Sequence, residues 1–135
     1  MDLVYTVNRE TGAFEWFAAL LKEIEDTFGG NLVHINTYLT SKIDEDQMYN
    51  IALNDAGAEF DALTNLRSRT HFGRPDFDHI FTSIRTGIEA GTYLPGSESS
   101  LKTTVAVFYC GPGVLAKDLK VKVQKAKTKH VDFRF

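Results

Sequence analysis

The sequence predicts an α/β chain built on a parallel sheet, and three observations carry that expectation. Segments of strand character alternate with segments of helical period along the 135 residues. The run Val105-Ala106-Val107-Phe108-Tyr109 lacks polar alternation, as expected of a strand covered on both faces. It stops at Cys110-Gly111-Pro112-Gly113, and in open α/β sheets ligands bind beyond the carboxyl ends of strands. One thiol is thereby expected at a ligand cleft, beside a turn whose backbone N–H groups are open to a bound group.

Taken in order, Leu3 to Val7 reads as a strand, and Thr11-Gly12 opens a helix with Phe14, Phe17, Leu21, Ile24 and Phe28 at spacings of three and four. Gly29-Gly30 is expected to end it. Leu32 to Leu39 follows as a strand with Val33, Ile35, Thr37 and Leu39 on one face, and Asp44 to Asn54 as a short helix carrying Met48, Ile51 and Ala52. From Asp55 to Gly73 the pattern fades, although Leu63 and Leu66 suggest a loop that packs down. Pro75 suits a first helical residue, ahead of the apolar face Phe77, Ile80, Phe81, Ile84 and Ile88, which Gly91 closes. Thr92 to Thr104 is a polar surface connection. Pro112 and Gly113 lead into a helix with Leu115, Leu119 and Val123 inward, and Val131, Phe133 and Phe135 alternate with Asp132 and Arg134 at the end. This alternation describes a Rossmann-like parallel sheet with flanking helices and right-handed crossovers, forming one domain over residues 1–135.

Composition narrows the function classes. A net charge of −3 disfavours nucleic acid as the main partner, and Lys117 to Lys129 reads as a solvated basic helix face. A single cysteine and four scattered histidines support neither a disulfide framework nor a metal site. No apolar run reaches the roughly 20 residues of a membrane span, so the chain is expected to be soluble. No G-x-G-x-x-G follows a strand, and both edges read as cut from something longer.

Six residues are candidates for a site. Arg9 lies just past the first strand, where an arginine matches the 2′-phosphate of NADP; it equally suits an exposed side chain paired with Glu10 or Glu15. Arg74 precedes a helix N-terminus, a natural anion site, and a surface loop arginine is the plainer reading. Thr40 ends the second strand, as a hydroxyl offered to the crevice or as a turn residue. Cys110 suits a nucleophile, a contact for an aromatic ligand or a packed thiol; with no histidine nearby in sequence the packed thiol is favoured. Gly111 and Pro112 form the turn beside it. Trp16 and His71 carry weaker signals, an aromatic of core or interface and a loop histidine.

In order, Asn8-Arg9-Glu10 with Phe14-Glu15-Trp16-Phe17, Asn36-Thr37-Tyr38-Leu39-Thr40, His71-Phe72-Gly73-Arg74-Pro75 and Phe108-Tyr109-Cys110-Gly111-Pro112 resemble the NADPH oxidase family. The segments Thr37 to Leu53, Phe72 to Asp76 and Gly91 to Gly113 look most like its fungal branch. The resemblance implies a ferredoxin-NADP reductase type NAD(P)-binding lobe of a superoxide-generating enzyme, in which hydride passes from NADPH to FAD and electrons cross membrane haems to O₂. By motif position, Arg9 would hold the 2′-phosphate, Arg74 would add a second cationic contact, and Cys110 with Gly111 and Pro112 would flank the nicotinamide. Cys110 would then position the nicotinamide, because the cofactors carry the chemistry.

The chain also departs from the family pattern. The glycine-rich pyrophosphate loop would lie upstream of residue 1, the FAD domain, the haem helices and the aromatic tail would lie outside the chain, and Thr6 stands where relatives often have tryptophan. The lobe alone is therefore expected to be inactive and to bind nucleotide weakly. In the full-length protein it would sit on the cytosolic face of a membrane, against the FAD and haem domains, with cytosolic regulatory subunits as further partners. A ferric or metalloreductase lobe is the enzymatic alternative. A docking module for cytosolic regulators is the non-catalytic one, using the Lys117 to Lys129 face and the polar Thr92 to Thr104 loop.

Overall fold

The computed structural model describes residues 1–10, 12–93 and 102–135, with backbone alone at 13–16 and 29–31. Trp16 as a side chain, and most of the Thr92 to Thr104 connection, lie outside the described residues. The elements run β1 (Asp2–Asn8), α1 (Gly12–Leu32), β2 (Val33–Leu39), α2 (Glu45–Asp55), β3 (His71–Phe72), α3 (Phe77–Glu89), β4 (Thr103–Ala106), α4 (Gly113–Ala126) and β5 (Val131–Arg134). Every strand pairing is parallel, and helices alternate with strands, so the fold is α/β as the Rossmann-like pattern predicts. The chain divides into two compact units, Met1–Pro75 and Asp76–Phe135.

In the first unit β1, β2 and β3 form a three-stranded sheet in that order. Val33, Ile35, Thr37 and Leu39 are buried together on one face of β2, because alternate side chains share a face. Leu21 of α1 packs with Val33, Ile35 and Leu66, and Val4, Phe17 and Ile24 border that cluster. Phe28, on the same predicted stripe, is exposed. Helix α1 also passes through Gly29-Gly30 instead of stopping there. Glycine weakens a helix by about 1 kcal/mol without forbidding it, so α1 runs until pairing with β1 takes the backbone at Val33.

The stretch after α2 departs most from expectation. Helix α2 is capped by Asp44, whose side chain accepts from the Gln47 amide, yet it buries no residue; Met48, Tyr49 and Leu53 are exposed. The loop beyond it does pack down, with Leu66 fully buried. Three carboxylates hold that loop, the first being Asp55, which accepts from the Ala62 amide and the Arg69 guanidinium at 2.8 Å. Glu25 of α1, itself buried, accepts from the Arg67 amide through both oxygens at 3.0–3.1 Å. Asp61, also buried, closes a tight turn in which its own amide donates to the Leu66 carbonyl, with Asn65 in the left-handed region that asparagine tolerates. The chain then enters β3, a two-residue strand without a periodic signal of its own.

The second unit packs α3 and α4 with β5, whose partner is β4. Ile80, Phe81, Ile84 and Ile88 of α3, Leu119, Val123 and Ala126 of α4, and Val131 and Phe133 of β5 are its buried residues. Phe81 meets Phe133 edge-on, with ring centroids 5.6 Å apart. Pro75 stands two residues before α3: the N-cap is Asp76, whose carboxylate accepts from the His79 amide. A carboxylate satisfies an orphan donor there, which proline has no means to do. Gly91, at φ +71°, ends the helix in a backbone conformation that glycine adopts without strain.

Strand β4 corrects the expectation of a long strand covered on both faces. It covers Thr103–Ala106, its residues alternate between half-buried and exposed, and Phe108 beyond it is 93% exposed. The apolar run reflects strand propensity, and its pairing with β5 ends where the Val107 amide donates to the Arg134 carbonyl.

Candidate functional site

The first unit brings three of the six candidate residues together. In the parallel register Asn8 stands opposite Leu39, and Leu39 opposite Phe72, so the three strands end level. The ladder runs one step further: the Thr40 amide donates to the Asn8 carbonyl and the Gly73 amide to the Leu39 carbonyl, both at 2.8 Å. Arg9, Thr40 and the Gly73-Arg74 pair thus form the carboxyl edge of one parallel sheet, the edge at which α/β sheets bind ligands. Gly73, at φ +99°, makes the turn that carries the backbone from β3 to Arg74.

Both guanidiniums at this edge are exposed, and neither has an ion pair or hydrogen bond among the described residues. For Arg9 that removes the expected alternative of a pair with Glu10, while the Glu15 side chain lies outside the described residues. Two cations without a partner among the described residues, at the ends of the strands on either side of β2 and each with a planar donor fork, suit a phosphorylated ligand. At the start of the helix after Arg74, the Asp76 carboxylate takes up one amide of the first turn, that of His79. Arg74 would act through its own charge.

The Thr40 hydroxyl donates to the Asn8 carbonyl at 3.2 Å. Its single proton is therefore spent on clasping β1 to β2, immediately beside Arg9. Behind it, Tyr38 and His71 stack across β2 and β3 with centroids 4.7 Å apart, and partial burial pushes the Tyr38 hydroxyl pKa up. His71 is thus a stacked aromatic on β3, not a lone loop histidine.

The second unit carries Cys110, Gly111 and Pro112 as an exposed turn between β4 and α4. Cys110 is a free, exposed thiol, which corrects the reading of a packed cysteine. The chain leaves the sheet at Ala106, so nothing remains to bury a side chain four residues later. Pro112 is the N-cap of α4 and makes no side-chain cap bond, as its chemistry requires. The turn is less open than its glycines imply: the Tyr109 ring folds over Gly111, where a Cβ would collide with it, and its hydroxyl donates to the Pro112 carbonyl at 3.2 Å.

Sequence reasoning missed the carboxylates that support this edge. Asp61 with Thr64 three residues on is a local turn pattern that the sequence does display. Its bonds to Thr70, and those of Glu25 to Arg67, span separations with no sequence signal. Among the described residues no group of His, Cys, Asp and Glu is placed to hold a metal ion, and no helix is long and apolar enough to cross a membrane.

Residues 3–124 match the Ferric reductase NAD binding domain family. The chain belongs to that family. As a ferric reductase NAD-binding domain it is also similar to proteins named as oxidases. It is 35% identical over 131 residues to respiratory burst oxidase homolog protein E of Arabidopsis thaliana, covering 93% of this chain and 12% of the relative. It is 32% identical over 132 residues to a superoxide-generating NADPH oxidase heavy chain of Dictyostelium discoideum, covering 97% and 23%. With NADPH oxidase 1 of Mus musculus it shares 36% identity over 125 residues, covering 90% and 19%. The chain therefore spans less than a quarter of the length of these relatives, and they do not place it in the fungal branch.

Proposed function

We propose that this chain is the NADPH-binding part of a superoxide-generating NADPH oxidase. The observation that carries the proposal is the pair of guanidiniums, Arg9 and Arg74, without a partner among the described residues, at the carboxyl edge of a parallel sheet in a chain of the NAD-binding family. The names of its relatives favour an oxidase over a metalloreductase as the full-length protein.

In this reading Arg9 takes the 2′-phosphate of NADPH as a bidentate partner, which NADH cannot offer. Arg74 adds a second positive charge along the nucleotide. Thr40 acts as a positioning residue, its hydroxyl holding the Asn8 carbonyl and so the start of the turn that presents Arg9. Cys110, Gly111 and Pro112 flank the nicotinamide and orient it, which is the protein's share of a hydride transfer. FAD, the hydride acceptor, and the membrane haems that would reduce O₂ belong to the longer protein, in which this lobe sits at the cytosolic face of the membrane, and no residue of this chain is assigned to them. By itself the chain binds NADPH weakly, without oxidising it.

Titrating the chain with NADPH and with NADH, before and after Arg9→Ala, tests the assignment. The expected result is a loss of about tenfold for NADPH, the worth of a charged hydrogen-bonded contact, with NADH unchanged. A variant that still prefers NADPH would show that Arg9 does not read the 2′-phosphate.

A further inference from the structure

Arg74 reaches the sheet edge through β3, and β3 is a weak strand. It has two residues, both exposed, and two rungs of pairing with β2. So short a strand does not hold its own register, because nothing it buries penalises a slip. The segment just before it supplies what is lacking.

Thr70, immediately upstream, is buried. Its amide donates to Asp61 Oδ1 at 2.8 Å and its hydroxyl to Asp61 Oδ2 at 2.8 Å. The same hydroxyl lies 3.2 Å from that of Thr37, a fully buried residue of β2. A hydroxyl has one proton, and Thr70 gives its own to the carboxylate, so Thr37 donates to Thr70. A continuous buried chain of hydrogen bonds thus runs from Asp61 through Thr70 to β2.

Asp61 Oδ2 also accepts from the Leu63 amide, the Thr64 amide and the Thr64 hydroxyl. Burial pushes the Asp61 pKa upward, but the bonds from Thr70 and Thr64 outweigh it and hold the carboxyl below its usual range. An ionised buried carboxylate tolerates no loss of donors, so the network has essentially one arrangement. The Thr64 bonds would suffice to close the loop. The bonds to Thr70 do something else: they tie the loop to the residue that starts β3.

We infer that Asp61 is a positioning residue for nucleotide binding: through Thr70 and Thr37 it sets the register of β3 on β2, and so the place of the Arg74 guanidinium against the anionic part of NADPH. The inference rests on the reading of Arg74 proposed above.

The test is NADPH titration of the 135-residue chain by NMR, with amide exchange read at Gly73, whose N–H bonds to the Leu39 carbonyl only in the native register. Asp61→Asn and Thr70→Val should each weaken NADPH binding by about three- to tenfold, the range expected of residues acting through one contact. Exchange at Gly73 should quicken while Val4 and Asn36, whose amides lie in the β1–β2 ladder, stay protected. Thr70→Ser, which keeps the hydroxyl, should restore both. In an Arg74→Ala background Thr70→Val should cost nothing further. Should Asp61→Asn fail to fold, Thr70→Val carries the test alone. Arg74→Ala weakening NADPH while Thr70→Val does not, or two losses that multiply, would overturn the inference and leave the reading of Arg74 standing. Unchanged binding in Arg74→Ala, or none in the parent chain, would overturn that reading and the inference with it.

Discussion

At Cys110 the structure and the sequence part company in a way that bears on function. The residue ends an apolar run and looks like core, yet its thiol is exposed on the turn before α4, with Phe108 and Val114 also exposed nearby. Apolar side chains left in solvent around a turn suit a contact for a flat ligand such as a nicotinamide. Alkylation of the folded chain by iodoacetamide should therefore be ready at Cys110, and saturating NADPH should slow it. Equal rates with and without nucleotide would remove Cys110 from the site. Arg9, by contrast, is legible from its place alone: one residue past a strand end, it needs no tertiary information to reach the edge.

Among the elements, α2 and β5 show how differently two correctly foreseen segments can contribute. Helix α2 forms within one residue of the predicted range, but nothing among the described residues covers Met48, Tyr49 or Leu53. Strand β5 is only four residues long, yet Phe133 is completely buried against Phe81. Phe133→Ala should cost about 3–5 kcal/mol of stability, as large cavities do, whereas Met48→Ala should stay within about 0.5 kcal/mol. Urea denaturation of both variants checks the contrast, and similar midpoints would mean that β5 is not central to its unit. Strand β3 escaped sequence reading because two residues carry no period; it exists because β2 offers an edge and Thr70 is tied in place.

For the molecule as a whole, charge sets the pH range over which both units persist. Asp61 in the first unit is held below the ordinary carboxylate range, burial opposing and the Thr70 and Thr64 bonds prevailing. In the second unit Asp132 is lowered too, by hydrogen bonds from Lys127 and Arg134 and by the charge of Lys102. A depressed carboxylate stabilises the fold above its unfolded pKa, and that stability is lost as pH falls through the folded value. Lys122 is raised, first by its bond to Asp78, and so contributes below the ordinary lysine range and loses its share as pH rises through the raised value. Thermal melts should accordingly hold level at neutral pH and fall in acid, and Asp61→Asn should flatten the acid limb for residues of the first unit alone. An acid limb unchanged by that substitution would contradict the role of Asp61. The order of strands and helices, the face of β2 that is buried, and the arginines flanking strand ends all follow from local chemistry, since period, propensity and motif spacing act over a few residues. Register, the burial of Asp61 and Glu25, the exposure of Cys110 and the stacking of His71 were settled by contacts between segments distant in the chain or by a sheet that ended early; such pairings depend on which backbone groups meet in space, and no stretch of chain encodes that alone.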